Sequence, residues 1–172
     1  MISKSSDRIS YFASLLQKMP TASAAVFGGP AYPDITGRIN FYQTKFGVLV
    51  SAQVFGLPRG ETNCRKRIFA LHIHDGSSCT GTAEDAFADA GTHYNLDGCR
   101  HPDHAGDLLP LWGNDGYAFS TFLTDRFSVG EVLGKTVIIH AGSDDFTTQP
   151  AGNAGQKIAC GIIVRHEMLR PM

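Results

Sequence analysis

The run Phe69-Ala-Leu-His-Ile-His74 constrains this chain more than any other stretch. Successive side chains of a strand leave on opposite faces, so His72 and His74 share one face while Phe69, Leu71 and Ile73 share the other. Such a strand has an apolar face suited to a core and a second face suited to ligands. Five of the seven histidines lie between Ala70 and Asp107, so most of what the ligand face needs comes from that stretch.

The other donors follow in order. His93 comes first, then His101, His104 and Asp107 in His101-Pro-Asp-His-Ala-Gly-Asp107, where glycine and proline let a short segment fold several donors around one ion. His140 stands further on. Imidazole nitrogens with one carboxylate suit zinc, and an all-imidazole set also suits copper. A single histidine is more often a surface or hydrogen-bonded residue than a ligand, and His166 keeps that reading. Asp85 and Asp89, just before His93, read as solvated turn charges. Trp112, Tyr117, Phe119 and Phe122 read as ordinary core and surface aromatics.

Around this stretch the pattern has period two. Residues 24–27, 37–43, 47–55, 67–74, 116–123, 135–140 and 158–165 read as strands. Residues 129–133 read as a brief connection, and 75–114 and 143–156 as two long loops. Ahead of them, Ile9, Phe12, Leu15, Leu16 and Met19 fall at roughly helical spacing before Pro20, which predicts a short amphipathic helix over 7–19. Eight or so antiparallel strands with two long functional loops predict an all-β domain, a β-sandwich or flattened Greek-key barrel, over residues 21–172. Residues 1–20 form a short helical extension. With 172 residues and 42% hydrophobic content, one domain with a sizeable core is expected. A formal net charge of −1 gives no polyanion-binding surface. The one basic cluster, Arg65-Lys-Arg67, reads as the solvated start of a strand, and Gly152-Asn-Ala-Gly155 as a turn delivering Lys157.

Four cysteines, Cys64, Cys79, Cys99 and Cys160, are even in number and widely spaced, without a Cys-x-x-Cys pair, so disulfides are favoured over a thiolate metal site. Disulfides point to an oxidising compartment. The polar start and the short, serine-broken apolar run over 9–16 do not form an intact secretory signal. The reading is therefore either cytoplasmic or exported with a leader already removed, and no stretch is long enough to span a membrane.

With these residues laid out, the chain from about residue 22 to 165 resembles the copper,zinc superoxide dismutases. His72-Ile-His74 resembles the family's copper pair, Gly91-Thr-His-Tyr-Asn95 its bridging-histidine motif, and Val137-Ile-Ile-His-Ala-Gly142 its late copper histidine. His104-Ala-Gly-Asp107 resembles its zinc pair, with His101 at the family's spacing from His93. The resemblance implies copper on His72, His74, His93 and His140, and zinc on His93, His101, His104 and Asp107. It implies that Asp144 links a copper histidine to a zinc histidine, and that Cys79 pairs with Cys160 as in the prokaryotic branch. Cys64 and Cys99 are then left over, either as a second bond anchoring the zinc segment or as two reduced thiols.

Three departures stand out. The segment from His101 to His104 is much shorter than in animal enzymes, and the loop after His140 is short and has no lysine before Lys157. Lys157 itself matches the arginine beside copper in the family, offering a point charge where the family has a planar fork. The implied activity is dismutation of superoxide to dioxygen and hydrogen peroxide, with copper cycling between oxidation states and zinc structural. His93 and Lys157 are the implied catalytic side chains, the first as a bridge that gives and retakes a proton, the second as the attractor of the anion. The alternative on the same fold is a non-catalytic module that binds or delivers copper or zinc. Superoxide is the expected small-molecule partner, a homodimer is left open, and no nucleic acid is expected.

Overall fold

β-branched and aromatic side chains form the long antiparallel strands β1 (Ala22–Gly28), β2 (Thr36–Thr44) and β3 (Gly47–Phe55), whose successive residues point to opposite faces. In β1, for example, Ala24 and Val26 are buried while Ala25 and Phe27 are exposed. The computed structural model describes residues 3–60, 62 and 67–166; Cys64, Arg65 and Lys66 lie outside the described residues. After β3 come β4 (Ile68–Phe69), β5 (Leu71–His74), β6 (Leu111–Trp112), β7 (Ala118–Thr124), β8 (Thr136–His140) and β9 (Lys157–Arg165). Seven strands form one antiparallel sheet in the order β5-β8-β9-β1-β2-β3-β7, and β4 pairs with β6.

The sheet curls because its two ends are linked through that small ribbon. β4 runs almost directly into β5 at one edge, and β6 turns back into β7 at the other through paired bonds between Asn114 and Tyr117. The result is a flattened barrel around one core, with Ile39 and Phe41 of β2, Val50 and Val54 of β3, Ile158 and Ile163 of β9, and Leu71 and Ile73 of β5 all buried. Each such fully buried side chain contributes about 1.5–3 kcal/mol.

The strand expected over 67–74 is broken in two at Ala70. The Ala70 amide donates to Gly142 O at 2.8 Å and its carbonyl accepts from the His140 amide at 2.9 Å, which switches the chain from β6 to β8 as its partner. The connection over 129–133 is a one-turn helix, α2 (Val129–Val132), started by a capping box in which Ser128 and Glu131 bond reciprocally. The N-terminal helix α1 (Ser3–Leu15) begins earlier than its apolar spacing suggested and ends before Pro20. Ile9 and Met19 are exposed, so the apolar stripe does not pack along its length; Tyr11 and Phe12 instead lie edge-on or tilted to Phe46 in the β2–β3 turn.

The expected irregular region over 75–114 holds a turn of 3-10 helix, Ala88–Ala90, as well as β6. It is also packed down. Phe87 and Ala90 bury with Ile138 and Cys160 in a second small core against β8 and β9, joined by Cys79 and Ala86. The Cys79–Cys160 disulfide fastens this layer across 81 positions of sequence, with the Cα atoms 5.6 Å apart. This is why β5 and β8 are buried on both faces: one looks into the barrel and the other under the loop layer.

Candidate metal centre

His72 and His74 leave β5 on the face that the loop layer covers, as the alternation requires. Two loop segments lie along β5's free edge as isolated antiparallel bridges, setting His93 beside His74 and Asp107 beside His72. The bonds are made by backbone: Tyr94 N to Ile73 O at 2.8 Å, Asp75 N to Thr92 O at 2.9 Å and Ile73 N to Gly106 O at 2.8 Å. A side chain at Gly106 would collide with the Ile73 carbonyl, so glycine is what lets this segment come close. His140 ends β8 at a register shift between Ile139 and His140, opposite Lys157.

The structure gathers the donors into two groups that share His93: His72, His74, His93 and His140, and then His93, His101, His104 and Asp107. Within each, the donor atoms lie within 4.8 Å of one another and every residue is buried. The outward hydrogen bonds decide which nitrogen of each ring faces inward. Asp144 accepts from His72 Nε2 and His101 Nε2, one on each oxygen, both at 2.8 Å. His74 Nδ1 donates to Gly91 O at 2.9 Å and His140 Nδ1 to Gly155 O at 3.1 Å. This leaves His72 Nδ1, His74 Nε2, His93 Nε2 and His140 Nε2 turned toward the first centre.

On the second centre, His93 Nδ1 is 2.7 Å from Asp107 Oδ1, while His101 Nδ1 and His104 Nδ1 lie 3.0 and 3.2 Å from Oδ2. His72 Nδ1, His93 Nε2, His101 Nδ1 and His104 Nδ1 are buried polar atoms without a hydrogen-bond partner. Buried groups of this kind are normally satisfied, and four of them converging on two points fit cations held there. Four imidazole nitrogens suit copper, and three with one carboxylate suit zinc.

Electrostatics keep His72, His74, His140 and Asp107 in ligating form. Burial, reinforced by the neighbouring rings, pushes the His74 imidazole down to about 3 and the His140 imidazole down to about 4, against partial opposition from the Gly91 and Gly155 carbonyls. His72 is held well below the usual histidine range by burial and then by His93, His140, His74 and His101. For Asp107, burial pushes upward, but the His93 hydrogen bond and the three imidazoles outweigh it and hold the carboxyl below its usual range. Neutral rings and an ionised carboxylate are what a metal requires.

Three positioning residues have no local signal in the sequence. Gln149 clamps the His101 backbone from both sides, Oε1 accepting from its amide at 3.1 Å and Nε2 donating to its carbonyl at 2.6 Å. Arg126 Nη1 donates to Pro102 O at 2.6 Å and His104 O at 3.0 Å. Gly152, with φ of +64°, passes so close to Asp144 and His101 that a side chain there would displace the carboxylate–imidazole bond.

A cavity of about 630 Å³ opens over His74, His93, His104 and His140, with Lys157, Asp85 and Glu84 in its wall; His72, His101 and Asp107 line none of it. Lys157 reaches the cavity as the 152–155 turn suggested, but its charge is not free. Its Nζ donates to Asp85 Oδ2 at 2.7 Å and to Phe87 O at 3.1 Å. Asp85 is a turn residue, its Oδ1 accepting from Phe87 N at 3.0 Å, and beyond that expectation it is also the lysine's counterion. Asp89 accepts from Thr80 Oγ1 within its loop. Cys99 is an exposed thiol without a disulfide among the described residues, Cys64 lying outside them. His166 bonds Ser23 Oγ at 2.7 Å, away from both centres.

Comparison with known proteins gives a consistent answer. The family model for copper/zinc superoxide dismutase (SODC) matches residues 35–163. The chain is 34% identical over 147 residues to superoxide dismutase [Cu-Zn] of Deinococcus radiodurans, covering 74% of this chain and 76% of that one. It is 31% identical over 145 residues to superoxide dismutase [Cu-Zn] 2 of Aquifex aeolicus, covering 76% and 80%. It is also 30% identical over 158 residues to the human copper chaperone for superoxide dismutase, covering 84% of this chain and 53% of the chaperone.

Proposed function

The chain belongs to the copper/zinc superoxide dismutase family, and on that premise we propose that its two donor groups carry superoxide dismutation, with copper on His72, His74, His93 and His140 and zinc on His93, His101, His104 and Asp107. The enzyme is an oxidoreductase that converts superoxide to dioxygen and hydrogen peroxide. Copper supplies the one-electron redox step and zinc a fixed charge. The observation that carries the residue assignment is the outward hydrogen bonding, which leaves a set of unpartnered nitrogens aimed at each centre.

His74, His93 and His140 of the copper set border the cavity, as does His104 of the zinc set, whereas His72, His101 and Asp107 do not, so superoxide arriving there reaches three copper-set rings. His93 is the one ring common to both groups. Its Nε2 faces the first centre and lacks a hydrogen-bond partner, so it is the atom placed to hold a proton and release it to the nascent peroxide. On its Nδ1 side the same ring lies beside Asp107, where both would be zinc ligands. Lys157 stands in the cavity wall with its ammonium paired to Asp85.

The reading as a metal-delivery module has less support, since a cavity reaching three copper-set imidazoles serves turnover with a small substrate. A homodimer is a further proposal, supported by exposed Phe55 of β3, its ring tilted against that of Tyr117, and by exposed Phe119 of β7. The decisive experiment measures metal content and superoxide consumption of protein loaded with copper and zinc, alongside His140→Ala and His104→Ala. One copper and one zinc per chain are expected, with copper lost selectively in His140→Ala and zinc in His104→Ala. Full activity and unchanged metal content in both variants would refute the assignment.

A further inference from the structure

The cavity over the copper donors has a charge arrangement that the metal ligands do not explain. Apart from histidines, its charged lining among the described residues consists of Lys157, Asp85 and Glu84, one cation against two anions. The cation is also engaged. Lys157 Nζ sits 2.7 Å from Asp85 Oδ2, and the lysine side chain is 16% exposed against 40% for the aspartate, so the ammonium faces its partner more than it faces solvent.

The pairing is built into the backbone. Asp85 O accepts from Thr82 N at 2.8 Å and Ala88 N at 3.1 Å, and Oδ1 accepts from Phe87 N at 3.0 Å, so its carboxylate is aimed by its own turn. Phe87, whose carbonyl takes a second bond from Lys157, is buried in the small core beneath. Cys79 and Cys160 join the segment carrying Asp85 to the strand carrying Lys157. Two rigid elements therefore present the ion pair to the cavity, leaving neither group to swing in by chance.

We propose that Asp85 is a specificity-determining residue of this pocket: by anchoring and neutralising Lys157 it lowers the pocket's affinity for anions, so that small ligands are admitted with little selection by charge. This rests on the copper assignment above. A compensated pair has a weak outer field, whereas a lone ammonium at the wall attracts any anion that enters. Asp85→Asn keeps the side chain's size and its turn acceptor and removes one negative charge.

The test uses the copper- and zinc-loaded enzyme and two probes read from the Cu(II) absorption spectrum: azide as the anion and imidazole at pH 8 as the neutral ligand. Asp85→Asn is expected to bind azide roughly three- to tenfold more tightly with imidazole affinity unchanged, and Asp85→Glu to return azide affinity toward wild type. Azide affinity is expected to fall more steeply with added salt in Asp85→Asn than in wild type, since the uncompensated ammonium adds an attraction that salt screens. Unchanged or weaker azide binding in Asp85→Asn overturns the proposal, as do equal shifts for both probes, or the same salt dependence of azide binding in Asp85→Asn and wild type. Wild-type protein that takes up no copper would instead bring down the function on which this inference rests, and the inference with it.

Discussion

Replacing Asp144 with alanine removes the one carboxylate that His72 Nε2 and His101 Nε2 share, each at 2.8 Å. Those rings belong to different donor groups, so the loss reaches both centres at once. A hydrogen bond to a charged group contributes about 1.5–3 kcal/mol, and losing a partner that orients a metal-bound histidine costs about 10–100-fold in metal affinity, or roughly 1.4–2.8 kcal/mol. Asp144→Ala is therefore expected to weaken zinc and copper binding by about one to two orders of magnitude each. Asp144→Asn separates orientation from charge. The amide keeps one acceptor oxygen but turns an N–H toward the other imidazole, which must then carry its proton on the Nδ1 that faces the centre. One metal should suffer more than the other. Chelator competition titrations with zinc and with copper give the affinities, and long-range 1H–15N spectra of the metal-free protein give each ring's tautomer. If Asp144→Ala held both metals within about threefold of wild type, the claim that this carboxylate sets the inward-facing nitrogens would be wrong.

Arg126→Ala frees the Pro102 and His104 carbonyls that its guanidinium ties and should lower zinc affinity about tenfold, as measured by chelator competition; a loss confined to copper would contradict this. Metal-free protein should lose stability as pH falls from about 6.5 toward 4. His74 and His140 have folded values depressed to about 3 and about 4, so the unfolded chain takes up protons first, and each ring costs about 1.4 kcal/mol per pH unit across that window. Urea midpoints that stayed level between pH 7 and 4.5 would show that the buried rings are not held neutral. Converting Cys79 and Cys160 to serine opens a loop of 81 positions and should cost about 4.5 kcal/mol on the chain-entropy account; a change below about 1 kcal/mol in urea unfolding would count against the bond as the main fastening of the loop layer.

The candidate metal donors stood out in one sequence because coordination accepts few side chains. His72 and His74 needed only strand alternation to share a face, and His93, His101, His104, Asp107 and His140 stand in motifs whose spacing carries the resemblance. The barrel was legible because β2, β3 and β9 are runs rich in β-branched and aromatic residues, bounded by glycine and other turn residues. What escaped works through groups that every residue possesses. Gln149 and Arg126 hold the metal segment by backbone carbonyls and an amide across 48, 24 and 22 positions, and any residue with a donor that reached could do the same. The break at Ala70 is likewise a matter of which carbonyl and amide lie opposite it. Asp85 shows the difference most sharply. Its turn bond to Phe87 is two residues away and readable from local chemistry, whereas its bond to Lys157 spans 72 positions and depends on the Phe87 and Cys160 packing that brings the loop layer onto β9. A residue's local role can thus be correct and still miss its part in the site, because the second role is created by the fold.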